Sequence, residues 1–268
     1  MSQPPNDPLW DDGKPDGPLS PVASPPIITT VAPLRPWGFW ATLAFTLIIL
    51  MGWLAPQAVL AVVWMTVNST LGSSGLESNG LFFALAVCAG TPVSIGLACL
   101  FAWIRLRTHV REYLGLRPLR LKELLRWSLA LLFLAVCSDM LTMFLGRPIV
   151  PEFMVRAYES AGFAPLFWMA IVVVAPVSEE ILFRGFLFEG ICHSRLGPSG
   201  AVAMTALFWS LVHVQYDWYG VSTIFISGLL LGFVRLKTQS VWATSCLHSL
   251  MNFIATAEVA FLPSSWTA

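Results

Sequence analysis

From residue 39 onward the chain is a succession of apolar runs, each closed by a short polar or Gly/Pro-bearing break. A helix needs about 20 largely apolar residues to cross a bilayer. Against that length the runs fall at about 39–67, 81–104, 124–146, 165–190, 201–216, 220–236 and 241–262. They predict an all-α, polytopic transmembrane bundle of about seven helices. The fifth and sixth runs are short, as expected of helices tilted through a thinned region or lying partly inside the bundle. No internal repeat at a fixed period is visible along the runs.

Ahead of Trp37 the pattern stops. Residues 1–36 are rich in Pro, Asp, Ser and Gly, and hold too few large apolar side chains to bury a core. They read as a disordered cytoplasmic tail in front of a transmembrane domain over 37–268. The tail has no basic segment followed by a short apolar core, so it is not a cleaved signal peptide.

Composition agrees with the pattern: 56% of residues are hydrophobic and 11% are charged, whereas a soluble domain carries about 25% charge. A net charge of zero gives no footing for nucleic acid. The distribution of charge sets topology instead. Arg105, Arg107, Arg111, Arg117, Arg120, Lys122 and Arg126 mark one loop as cytoplasmic. Counting helices from there brings Lys14, Arg35, Arg195, Arg235 and Lys237 to the same side, and leaves Arg147 and Arg156 opposite. The amino terminus is then cytoplasmic, Tyr216, Trp218 and Tyr219 sit in an outer aromatic belt, and the basic loop faces anionic membrane lipids. The cysteines at 88, 99, 137, 192 and 246 form no Cys-x-x-Cys pair and read as small apolar packing residues.

Ionisable groups within hydrocarbon cost free energy and by default mark function. Asp139, Glu179, Glu180, Arg184, His213 and His248 all fall inside predicted spans. Glu180 and Arg184 are four apart on one helix face and can pair. Glu179 is rotated about 100° from Glu180 and is left to face something else. His248 and Asn252 present two polar groups to one point, and Trp209 shares a face with His213. At about 1.5 Å per residue, three separate helices bring Glu179, His213 and His248 with Asn252 to similar depth. Asp139 has no such company and reads as a polar contact inside the bundle. Gly228 and Gly232 read as a close helix contact.

Three segments stand in order: Glu179-Glu180-Ile181-Leu182-Phe183-Arg184, Trp209-Ser210-Leu211-Val212-His213 and His248-Ser249-Leu250-Met251-Asn252. They resemble the Glu-Glu-x-x-x-Arg, Phe-x-x-x-His and His-x-x-x-Asn motifs of the CPBP (CAAX protease and bacteriocin-processing, or Abi) family of intramembrane proteases. That family includes the type II CAAX prenyl endopeptidases and bacteriocin self-immunity proteins. The resemblance covers about 110–257, with Leu114-Gly115-Leu116-Arg117 and Ser227–Gly232 similar to family connecting segments. Trp209 in place of Phe is a departure that bears on packing.

Peptide hydrolysis needs an activated water, a site for the oxyanion and a proton for the leaving amine. Glu179 fits the general base, and His213 fits the group that holds the water and returns the proton. His248 and Asn252 fit the oxyanion donors. Glu180 with Arg184 fits an ion pair that orients the helix carrying Glu179. The resemblance implies the same roles, with a membrane-associated or lipidated peptide or protein as substrate and a prokaryotic plasma membrane as location. No cofactor is required by this reading; a zinc version would use Glu179, His213 and His248 as ligands with the fourth position open.

Other protease chemistries have little footing. There is no His-Glu-x-x-His for a site-2-type zinc enzyme. Gly197-Pro198-Ser199-Gly200 matches a rhomboid-like Gly-x-Ser-Gly, but sits at a turn where Gly-Pro is ordinary punctuation. Two non-proteolytic functions remain beside the peptidase. One is a membrane scaffold or self-immunity factor of the same fold. The other is a proton relay or transporter, against which the lack of inverted repeats weighs.

Overall fold

The computed structural model describes residues 36–67 and 79–262, together with Met1 and Leu76. The expected disordered tail over 1–36 therefore lies outside the described residues, save Met1 and Pro36. Met1–Pro33 and Leu34–Ala268 form separate units, and every element below belongs to the second.

Among the described residues all regular elements are helical. α1 spans Phe39–Val67 and α2 Gly80–Leu106. A short 3-10 turn and α3, Val110–Tyr113, lead to α4, Leu121–Phe144. α5, Glu152–Glu159, precedes the long helical run α6, Ala164–Cys192. α7 spans Gly197–Leu211, α8 Trp218–Thr238 and α9 Val241–Phe261. Polar caps fix several starts: Asn79, Asp217 and Ser240 each accept a backbone N–H from the first turn of α2, α8 and α9. The Gly220 N–H, helped by the Arg147 guanidinium, holds the Asp217 carboxyl below its ordinary range.

Among the described residues five helices are long and apolar enough to cross a membrane: α1, α2, α4, α6 and α8. Their boundaries lie within a few residues of the expected spans. The fifth expected span, 201–216, is shifted: the helix runs Gly197–Leu211. Its 15 residues make a rod of about 22 Å, short of the roughly 30 Å hydrocarbon layer. Pro198 occupies the first turn, where its missing N–H costs nothing, so the helix starts inside the polar break rather than at the apolar run. α9 has 21 residues but is interrupted by Thr, Ser, His, Asn and Glu. The eight-residue α5 has no counterpart among the expected elements. Gly197–Gly200, expected as a turn between helices, instead forms the first turn of α7.

α6 organises the interior, with Ile181 through Phe188 all buried. It is not a uniform α-helix but widens to π winding over Ala170–Val174 and Ile181–Leu187. The first widening has a cause in the sequence. Pro176 cannot donate, and the Ala175 N–H goes to the Ala170 carbonyl. The Ile171 carbonyl is then left without a donor in its own helix. In the second, the Phe188 amide bonds to the Phe183 and Gly185 carbonyls rather than to that of Arg184. Side chains from other helices take up both carbonyls: Asn252 Nδ2 donates to Ile171 O at 2.9 Å and Arg235 Nε to Arg184 O at 2.8 Å. In a membrane interior an unmet carbonyl is costly, so these two bonds fix where α8 and α9 sit against α6.

α7 and α8 pack closely because Gly228 and Gly232 lack side chains. A Cβ on Gly228 would lie 3.0 Å from Ala206 Cβ and 3.1 Å from Trp209 Cε3; one on Gly232 would lie 3.2 Å from Val202. Just past the C-terminus of α8, Gly115 joins the loop after α3 to the α8–α9 turn: its carbonyl accepts the Val241 N–H at 2.8 Å. Gly115 has φ +66°, and a Cβ there would meet the Arg235 guanidinium at 2.4 Å. That guanidinium is held by Arg184 O and, at 3.4 Å, by Glu189. Gly115→Ala is therefore expected to lower the thermal midpoint in detergent. The left-handed backbone alone costs about 1–2 kcal/mol, and displacement of Arg235 adds to it. An unchanged midpoint would show that this junction yields freely.

Candidate active site

α6 presents Glu179 and Glu180 in different directions, as their spacing requires. Glu180 is fully buried, with Arg184 Nη1 donating to its Oε1 at 2.8 Å; neither side chain has any exposed surface. Arg184 also donates Nη2 to the Gly228 carbonyl at 3.3 Å and lies over the Trp209 ring at 4.5 Å. Glu179 keeps 28% of its side-chain surface open. Its Oε2 accepts the Trp209 indole N–H at 2.6 Å.

His248 on α9 stands between the two carboxylates. Its Nδ1 lies 3.0 Å from Glu180 Oε1, and its Nε2 lies 4.0 Å from Glu179 Oε2. A carboxylate paired with an arginine can only accept, so Nδ1 carries the proton and donates to Glu180. Nε2 is the nitrogen turned towards Glu179. The same logic fixes His213, whose Nδ1 donates to the Trp209 carbonyl at 2.7 Å. His213 follows the end of α7, whereas the sequence reading placed it well inside a span. Carbonyls of a helix's last turn lack N–H partners, and His213 folds back onto one of them. Trp209 meets His213 edge-to-face at 5.2 Å and His248 at 5.0 Å.

The structure thus gathers Glu179, Glu180, Arg184, Trp209, His213 and His248. Asn252 is one turn from His248, and its amide is engaged by the Ile171 carbonyl. Asp139, on α4, makes no hydrogen bond or ion pair with any of them among the described residues.

Residues 161–254 match the family described as type II CAAX prenyl endopeptidase Rce1-like. All three motifs lie inside that stretch. The chain carries an Rce1-like domain. The matched stretch begins after Leu114–Arg117, so that connecting segment falls outside it. The chain is also similar to the UPF0177 protein YxdF of Lactococcus lactis subsp. lactis (strain IL1403), with 24% identity over 90 residues, 34% of this chain and 48% of the relative. The chain thus spans about half the length of the curated relative it matches. No solved structure matches it. With five membrane-length apolar helices among the described residues, two of them inside the Rce1-like stretch, this is an integral membrane protein.

A zinc centre in the Rce1-like domain would need Glu179, His213 and His248 turned to one point. Among the described residues no three His, Cys, Asp or Glu side chains gather in that way. His213 and His248 commit Nδ1 to an acceptor and keep Nε2 free, as zinc-bound imidazoles also do; what does not fit is the spacing of the three groups, and Glu179 Oε2 is taken by the indole.

Two contributors escaped the sequence reading. Arg235, 1% exposed, was counted only as a topogenic charge, yet it donates to the Arg184 carbonyl. Trp209, also 1% exposed, was read as packing, yet it donates to Glu179. Arg235 lies on α8, just beyond the Ser227–Gly232 segment and outside any motif; Trp209 carries its signal in its residue type, an indole where a phenyl ring is expected.

Proposed function

We propose that the chain is an intramembrane endopeptidase that hydrolyses a peptide bond of a membrane-associated or lipidated peptide. The observation that carries this reading is His248, anchored to Glu180 through Nδ1 and facing the partly open Glu179 carboxylate through Nε2 at 4.0 Å. That is the arrangement of a base and a proton-carrying imidazole oriented by a third, buried group. Glu179 touches the reacting water, and Glu180, which has no exposed surface, acts only through His248.

In this mechanism Glu179 takes a proton from water as the oxygen adds to the peptide carbonyl carbon. The developing oxyanion is met by His248, donating from Nε2 as imidazolium, and by the Asn252 N–H not used by Ile171. His213 Nε2 holds the water on its other side. The proton on Glu179 then passes to the amide nitrogen, the C–N bond breaks, and an acid and an amine leave. With α9, and with the short α7 crossing where the layer is thinned, the bundle would count seven crossing helices around a polar cavity open to the cytoplasm, the amino terminus on that side, in a prokaryotic plasma membrane. The Rce1-like family description points to prenylated carboxyl-terminal peptides as the first substrates to try.

The test is cleavage of quenched peptides, prenylated and not, by protein purified in detergent. Wild type is run beside Glu179→Ala and His213→Ala, with and without a strong chelator. Cleavage by wild type alone, unchanged by chelator, is expected. Equal signals in all three proteins would mark contaminating activity and favour a non-catalytic scaffold. Loss on chelation would move the chemistry to a metal.

A further inference from the structure

We infer that Trp209 is a positioning residue for Glu179, a role that only an indole at this position can fill. Its Nε1–H donates to Glu179 Oε2 at 2.6 Å in a setting where the ring is 1% exposed. A short hydrogen bond from a buried indole to a carboxylate oxygen is among the stronger ones available to a protein. It fixes which carboxylate oxygen stands 4.0 Å from His248 Nε2. The same residue holds His213 through its carbonyl, so one residue of α7 sets the positions of a carboxylate on α6 and an imidazole beyond its own helix end.

The surroundings are shaped for the indole. Arg184 lies over one face at 4.5 Å, and His248 and His213 meet it edge-on at interplanar angles of 81° and 79°. Gly228 leaves the space that the six-membered ring fills, since a Cβ there would approach Cε3 to 3.1 Å. A phenyl ring would keep most of these contacts and lose the donor. Trp209→Phe therefore removes one hydrogen bond with little change in packing.

This inference rests on the peptidase reading for its kinetic consequence but not for its structural one, and the experiment separates the two. Protein labelled with 15N at the tryptophan indoles is studied in detergent, and the Trp209 resonance is identified by its absence from Trp209→Phe. A strongly downfield indole proton that moves in Glu179→Gln, and not in a control Glu258→Gln, is expected. On the peptide that wild type cleaves, Trp209→Phe is expected to lower kcat by roughly tenfold, the worth of one such bond, with KM held within about twofold. A Trp209 resonance indifferent to Glu179→Gln overturns the inference whether or not the protein cleaves peptides. An unchanged kcat in Trp209→Phe, or a loss confined to KM, overturns it as well. A resonance that responds in a protein that cleaves nothing supports Trp209 as the holder of Glu179 and removes the peptidase reading alone.

Discussion

Arg184→Met is expected to cost the protein a large share of its stability. Arg184 and Glu180 are both without exposed surface, and the guanidinium donates to the carboxylate at 2.8 Å. Removing one partner of such a pair leaves an uncompensated buried charge, at a cost of about 3–5 kcal/mol. Against a total stability of roughly 5–15 kcal/mol, that is a large share. Two further losses come with it: the bond to the Gly228 carbonyl and the cation over the Trp209 ring. His248 is no substitute, because it reaches the same Glu180 oxygen from one side only. The double variant Glu180→Gln/Arg184→Met is expected to recover much of the loss, since no unpaired charge then remains inside. The measurement is folded yield and thermal midpoint by size exclusion in detergent. A single variant as stable as wild type, or a double variant worse than the single, would show that the pair is not what holds α6 in place.

The spans could be read from the sequence because hydrocarbon thickness sets the length of each run, and length is visible in a sequence. What hydropathy could not supply was where α7 begins and ends. Gly197 and Pro198 are polar-break residues by composition but open the helix by geometry. Val212 and Val214 are apolar but no longer helical, because His213 turns back to the Trp209 carbonyl. α5 was missed because it is short and carries Glu at both ends, although Pro151 ahead of Glu152 was a start signal.

The site was legible to the same degree and for the same reason. Spacing within one helix gave Glu180 with Arg184, a pair four residues apart. Spacing also suggested that His248 and Asn252 meet at one point, whereas the structure sends Nδ1 of one to Glu180 and the amide of the other to Ile171. The cause of the second contact is written in the chain as Pro176, which leaves Ile171 O in need of a donor. That the donor comes from residue 252 is a matter of helix packing. Trp209 is the same case, a donor evident from its type whose acceptor lies 30 residues away.

Glu179→Gln is expected to abolish cleavage while leaving the fold intact, and that contrast separates the two adjacent glutamates. The substitution keeps the side chain's shape and leaves a neutral, weaker amide oxygen to accept the Trp209 N–H, so the contact survives while the indole resonance moves. Glu179 has no arginine partner comparable to that of Glu180, and 28% of its side chain is open, so no buried charge is stranded. What is lost is the group that takes a proton from water. Removing a general base of this kind lowers kcat by about 10²–10⁴-fold. Neither imidazole replaces it, because each Nδ1 is tied to a fixed acceptor and each Nε2 is needed for the water or the oxyanion. The thermal midpoint should therefore stay near that of wild type as turnover disappears, the reverse of Arg184→Met, where stability fails first. The check is kcat on a cleavable peptide alongside the midpoint of the same preparation. Residual turnover above about a tenth of wild type, far more than loss of a base allows, would take the role of base away from Glu179.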